Sequence, residues 1–95
     1  MTTLSKTDAE ARLRERSGWA IDGNAIRKQF VFKDFPSAVE FVSRLVPGAE
    51  AADHHPDILI NYRKVTLTYT THSEGGLTEK DFAGAAMAER VFNRS

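Results

Sequence analysis

Apolar and polar positions change period several times along this chain, and the changes mark out its elements. Ala38, Phe41, Val42, Leu45, Val46 and Ala49 fall at i, i+3, i+4, i+7, i+8 and i+11, which is the spacing of one helical face. Elsewhere the period is two. Ile26, Lys28, Phe30 and Phe32 alternate with Arg27, Gln29, Val31 and Lys33, so Phe30 and Phe32 are expected to face a core. Ile58, Ile60 and Tyr62 alternate with Leu59, Asn61 and Arg63, and Val65, Leu67 and Tyr69 alternate with Thr66, Thr68 and Thr70. These runs predict two more strands, rich in β-branched and aromatic residues, joined by a tight turn at Arg63-Lys64. Trp19-Ala20-Ile21 supplies a short strand, joined to Ala25 through Phe32 across Asp22-Gly23-Asn24, a hairpin sequence that tolerates positive φ.

Helix starts have their own signature. Thr7-Asp8-Ala9-Glu10, Ser37-Ala38-Val39-Glu40 and Thr78-Glu79-Lys80-Asp81 each fit a capping box, a hydroxyl followed three residues later by an acid or amide. They predict helices over residues 8–16, from Ser37 to about residue 52, and on to about Phe92. Gly18 suits the end of the first. Pro47 lacks a backbone donor and is expected to kink or divide the second. Pro56 disfavours helical angles at His55, so that helix must end before it. The order helix, strand, strand, helix, strand, strand, helix predicts an α+β fold of two layers. A four-stranded antiparallel sheet would carry helices on one face (α-β-β-α-β-β-α), in one domain spanning 1–95.

Composition narrows the function classes. The 13 basic and 13 acidic residues leave no net charge. That balance speaks against a nucleic-acid binder, which needs a basic stripe, and against a polybasic membrane surface. Without cysteine, disulfides and thiolate metal sites are excluded. Residues 1–6 lack the apolar run of a signal peptide and no stretch reaches transmembrane length, so a cytoplasmic protein is expected. A core built from 95 residues is modest, which makes oligomerisation a plausible way to bury more surface.

Candidate chemistry is confined to Glu50 through Asp81, which holds all three histidines of the chain: His54, His55 and His72. Glu50 and His54 are four apart on a helical stretch, so their side chains can meet, with the carboxylate fixing the ring's tautomer and favouring its cation. Pro56 locks His55 extended and should aim it elsewhere. His72 is in phase with Thr66, Thr68 and Thr70, which keeps it off the apolar face. One at a time, each histidine is more readily structural or merely exposed than catalytic. Their clustering beside Glu50 and Asp53 favours a site, either for acid–base chemistry or for a His/carboxylate metal centre. The spacing matches no compact helical ligand pair, which speaks against metal. Asp81 is accounted for by its own helix start, Trp19 by a core, and Tyr62 and Tyr69 by strands.

The spacing Glu50, three residues, His54-His55-Pro56, five residues, Tyr62, nine residues, His72, eight residues, Asp81 resembles the signature of the pterin-4a-carbinolamine dehydratase family. Gly18-Trp19, Phe30-x-Phe32-Lys33-Asp34-Phe35, Ala49-Glu50 and Gly75-Gly76-Leu77-Thr78 extend the resemblance over nearly the whole chain. It implies dehydration of 4a-hydroxytetrahydropterins to quinonoid dihydropterins, recycling the cofactor of aromatic amino acid hydroxylases. It implies catalytic roles for His54, His55 and His72, and substrate-binding roles for Glu50, Asp53, Trp19 and Thr71. Pro56 and Asp81 stand as signature residues. No metal and no cofactor are implied. The implied partners are the pterin substrate and further copies of the chain, in a dimer or tetramer. Some animal relatives act as dimerisation cofactors of a homeodomain transcription factor, so a non-catalytic pterin-binding or protein-interaction module is the rival class. Three positions depart from the family pattern. Arg63 stands where Asn is common, and Gly84 and Ala88 where larger apolar residues are common, which raises questions of turn geometry and subunit packing.

Overall fold

The computed structural model describes residues 3–14 and 18–94. Its elements are α1 (Lys6–Leu13), β1 (Ala20–Asp22), β2 (Ala25–Val31), α2 (Phe35–Ala52), β3 (Asp57–Asn61), β4 (Lys64–Tyr69) and α3 (Glu79–Asn93), with a short 3-10 turn at His72–Glu74. The strands form one four-stranded antiparallel sheet in the order β1-β2-β4-β3, so the predicted α+β architecture holds. The two hairpins meet through β2 and β4, where Phe30 lies opposite Val65, Lys28 opposite Leu67 and Ile26 opposite Tyr69.

Because side chains alternate along a strand, this register gathers Ile26, Phe30, Val65, Leu67 and Tyr69 on one face, all of them buried. Against that face α2 packs Ala38, Phe41, Leu45 and Ala49, α3 packs Phe82, Ala85 and Ala88, and α1 adds Ala9. The other face leaves Arg27, Gln29 and Val31 exposed. The rings of Phe30 and Phe32 each sit 5.0 Å from that of Phe41. Aromatic pairs of this kind add about 0.5–1.5 kcal/mol each beyond burial. They bind α2 to the sheet, and so fix where the C-terminal end of α2 delivers the histidines.

Two helix starts differ from the capping boxes expected. The N-cap of α1 is Ser5, not Thr7: its hydroxyl accepts from the backbone N–H of Asp8 at 3.1 Å. The N-cap of α2 is Asp34, not Ser37: its Oδ1 accepts from the Ser37 N–H at 2.9 Å. In α2 the cause is Pro36, whose fixed φ suits the first helical turn and pulls the start forward. The Ser37 bonds hold the Asp34 carboxyl below its ordinary range. The capping box of α3 is as expected, with Thr78 and Asp81 each bonding the other's backbone. The expected extension of the first helix over residues 15 and 16 lies outside the described residues.

Further along, α2 runs through Pro47 without being divided and closes on Asp53, whose φ of 50° is in the left-handed region. Val46, counted in the buried stripe, sits at its margin and is 53% exposed. The β3–β4 turn is Tyr62-Arg63, one residue earlier than expected, with Tyr62 at φ 54° and exposed rather than in a strand. Arg63 supplies the reason. Its carbonyl accepts from the Phe32 N–H at 2.8 Å and its Nη1 donates to the Phe32 carbonyl at 3.1 Å, which pins the turn to the end of β2.

Candidate active site

The left-handed Asp53 ends α2 and turns the chain sharply, while the His54 N–H still reaches back to the Ala49 carbonyl at 3.1 Å. His54 and His55 therefore leave the helix in different directions. His54 turns inward: its Nε2–H donates to Asp81 Oδ1 at 2.6 Å, and its ring stacks on Tyr69 at 5.9 Å and 25°. The His54 side chain is 11% exposed and that of Asp81 is fully buried. His55 turns outward, and its Nε2–H donates to Glu50 Oε2 at 2.5 Å in the open. The partnership expected between Glu50 and His54 is thus exchanged. The i, i+4 spacing holds only on a continuing helix, and Asp53 breaks it one residue before His54. A carboxylate can only accept, so both rings carry a proton on Nε2 and have Nδ1 as the remaining nitrogen.

Asp81 does more than close its own helix. Its Oδ2 accepts from the Thr78 N–H and from Thr71 Oγ1, each at 2.9 Å, which leaves Oδ1 to face His54. Thr71 and Thr78 are also within 2.9 Å of each other through their hydroxyls. Thr71, expected to touch substrate, is buried behind Asp81 and spends its hydroxyl there. The next residue, His72, is exposed at the head of the 3-10 turn, which the Thr71–Gly76 bridge and the positive φ of Gly75 close. No carboxylate pairs with His72 among the described residues. One hydrogen-bonded chain, His54 to Asp81 to Thr71, thereby ties the end of α2 and the start of α3 to the segment that carries His72. Asp53 is exposed, and Pro56 is half-buried.

Beneath His54 lies a stack of rings. Trp19 is buried and packs on Tyr69 and Phe30, with centroids 6.0 Å away in both cases. Trp19 thus supports Tyr69, and Tyr69 supports His54. Gly84 makes room for this: a Cβ there would lie 2.4 Å from Tyr69 Cε1. Gly84 and the fully buried Ala88 are accounted for by packing within the chain. Tyr69 and Gly84 are the residues that sequence reasoning missed. A glycine inside an otherwise well-formed helix was the available signal, since it costs about 1 kcal/mol against alanine unless close packing demands it.

The Tyr69 hydroxyl is buried without a hydrogen-bond partner among the described residues, and burial, helped by the Asp81 charge, pushes it up to about 12. The folded chain therefore holds this proton more tightly than the unfolded chain, whose phenol titrates near 10. The associated stability is complete below pH 10 and is lost as pH rises from 10 through 12, amounting to about 2–3 kcal/mol. Tyr69→Phe should abolish this alkaline loss. At neutral pH it should cost less than about 1 kcal/mol, because no hydrogen bond is given up. Urea unfolding of both proteins at pH 8 and pH 11.5 checks this; equal losses in the two would contradict it.

His54 opens onto a cleft of about 400 Å³ between α2 and α3, lined also by Ala51, Lys80, Gly84, Met87 and Arg90. A larger hollow of about 670 Å³ near Phe32, Arg44 and Asn93 contains none of the histidines. Among the described residues no three His, Asp or Glu side chains are placed to share a metal ion, and no helix is long and apolar enough to cross a membrane.

Fold and site together define a class: a small α+β protein that holds an imidazole against a buried carboxylate where α2 and α3 meet. The family model described as pterin 4 alpha carbinolamine dehydratase matches residues 2–91. A relative from Roseiflexus sp. (strain RS-1), to which that activity is assigned provisionally, is 51% identical over 90 residues, covering 95% of this chain and 97% of its own. One from Picosynechococcus sp. (strain ATCC 27264 / PCC 7002 / PR-6), assigned in the same way, is 52% identical over 85% of this chain and 88% of its own. The crystal structure of a transcriptional coactivator/pterin dehydratase from Brucella melitensis superimposes with a TM-score of 0.90 at 37% identity, over 95% of this chain and 98% of that one. A pterin dehydratase-like protein identified as a RuBisCO assembly factor in the alpha-carboxysome shares the fold alone, with a TM-score of 0.64 at 22% identity over 77% of this chain and 84% of that one. The chain belongs to the pterin-4a-carbinolamine dehydratase family.

Proposed function

We propose that this protein dehydrates 4a-hydroxytetrahydropterins to quinonoid dihydropterins and water, recycling the pterin cofactor of aromatic amino acid hydroxylases. In this reaction the C4a–O bond breaks and the departing hydroxyl takes a proton and leaves as water. The N5–H bond breaks, and its electron pair forms the N5=C4a double bond. One group must give a proton and another must take one. Imidazole suits both tasks near neutral pH.

The observation that carries this reading is the His54–Asp81 pair, with the second carboxylate oxygen already occupied by Thr71 and Thr78. Asp81 fixes the His54 tautomer and lies where it stabilises a ring carrying the extra proton, so His54 acts through Nδ1 as the acid. His72, with no carboxylate beside it, is the base. His55, tethered to Glu50, orients the substrate, and Asp53 lines the mouth. Trp19 and Thr71 act from behind, as supports of Tyr69 and Asp81. The assignment of acid and base inverts for the opposite 4a epimer, whose hydroxyl leaves from the other face. The proposal extends to a homodimer or tetramer: Ile58 and Leu59 on the edge strand β3, and Phe35, Val39 and Val46 on α2, are exposed apolar side chains in the single chain.

The test is an assay coupled to a pterin-dependent hydroxylase, following loss of the 4a-carbinolamine absorbance. The protein should accelerate that loss over the spontaneous rate. His54→Ala and His72→Ala should each lower kcat by about 10²-fold or more. His55→Ala and Glu50→Gln should act together, mainly on KM, as loss of uniform binding does. An unaccelerated reaction would leave a non-catalytic pterin-binding or protein-interaction module as the correct reading.

A further inference from the structure

The carboxylates of α3 are all engaged with partners of their own. Glu79 pairs with Arg12, Glu89 with Lys28, and Asp81 with His54 and Thr71. Lys80 and Arg90, the two basic residues of α3, both line the cleft, and neither has a carboxylate partner among the described residues. No acidic residue lines it. On the α2 side, the acids next in sequence to lining residues are Glu50 and Asp53, at its histidine end. Two cations facing a concave surface with no acidic residue in its lining make that surface electropositive and draw an anionic group toward it. The glycines here need no ligand to explain them, since a Cβ on Gly84 would strike Tyr69 and one on Gly48 would lie 2.9 Å from Met87 Sδ. The cations are what packing leaves unexplained.

Lys80 and Arg90 are ten residues apart on one helix, about 15 Å along its axis. Lys80 adjoins Asp81 at the His54 end, and Arg90 is at the other end. A bicyclic ring held at His54 would direct a substituent along the cleft between them. Resting on the pterin reading above, we infer that the α2–α3 cleft receives the substrate's side chain, and that this side chain ends in an anion, a phosphate or a carboxylate. Lys80 and Arg90 are then specificity-determining residues. They act on which carbinolamine binds and take no part in the proton transfers.

The probes are stable oxidised pterins: one with a hydroxymethyl side chain, its phosphate ester, one whose side chain ends in a carboxylate, and inorganic phosphate alone. Calorimetry on the intact protein should find one or both anionic pterins bound about tenfold tighter than the neutral one, the yield of a single charge-assisted contact. Whichever anion shows the larger gain is the one selected. Arg90→Gln and Lys80→Gln, both at exposed positions, should remove that advantage and leave neutral-pterin affinity unchanged. Salt should shrink it in the wild type. Equal affinities for all three pterins would overturn the inference, as would variants that weaken the neutral pterin equally, or free phosphate bound as tightly as the ester. The two readings separate cleanly. Turnover without anion preference refutes this inference alone, anion preference without turnover refutes the dehydratase reading alone, and no pterin binding refutes both.

Discussion

Asp81→Asn should leave the fold intact and lower the dehydration rate by about 10²-fold or more. The amide keeps one carbonyl oxygen, which can still accept from the Thr78 N–H and the Thr71 hydroxyl, as Oδ2 does now. The start of α3 therefore survives, at a cost of about 1 kcal/mol. What His54 meets is reversed. In place of an accepting oxygen it faces an NH₂ donor, so Nε2 must accept and the ring proton moves to Nδ1. Nδ1 then holds the proton of a neutral ring, a far weaker acid than imidazolium, with no negative charge behind it to favour the doubly protonated form. Asp81→Ala should differ by losing the cap as well, unfolding about 1–2 kcal/mol more easily than the wild type. Urea midpoints read beside kcat separate the two effects. Wild-type kcat in Asp81→Asn would remove this pair from the mechanism.

Gly84→Ala should destabilise the fold, because of the six glycines this is where an added Cβ would meet its closest neighbour. The new Cβ would stand 2.4 Å from Tyr69 Cε1, so the ring or the helix must move. Overpacking of this kind costs about 1–3 kcal/mol, which exceeds the helix propensity of about 1 kcal/mol gained on leaving glycine. Since His54 stacks on that ring, kcat should fall together with stability. Trimming the obstacle provides the control. Gly84→Ala combined with Tyr69→Leu should be less destabilised than the sum of the single changes by about 0.5 kcal/mol or more, the coupling expected of residues in contact. Strict additivity would show that the two residues do not press on each other.

Much of this architecture was legible in the sequence, and the failures have physical causes. Period two in Ile26 through Phe32 and in Val65 through Tyr69 gave the central strands, because a one-residue slip would expose every buried side chain. The stripe from Ala38 to Ala49 gave α2 for the same kind of reason. Local chemistry was less decisive where two caps competed, as at Asp34 and Ser37, or where a distant bond fixed a turn, as between Arg63 and Phe32. In the site, the histidines and acids were legible as a set but their pairing was not. Which carboxylate meets which imidazole depends on a single left-handed residue, Asp53, and on the docking of α3. Tyr69 read as an ordinary strand residue because its contact with His54 exists only in three dimensions.

On the proposed mechanism Asp81 has two duties, and this determines which residues report on activity among related proteins. A lineage released from the need to catalyse still needs α3 to begin at Thr78, so it keeps an accepting Asp or Asn side chain at position 81 for the sake of the helix. His72 is exposed, bonded to no carboxylate among the described residues, and able to drift with little harm to the fold. A descendant that has turned from chemistry to another task should therefore retain Asp or Asn at position 81 and lose His72 early. In sorting relatives by function, the exposed histidine is the informative character and the buried aspartate is a mark of ancestry.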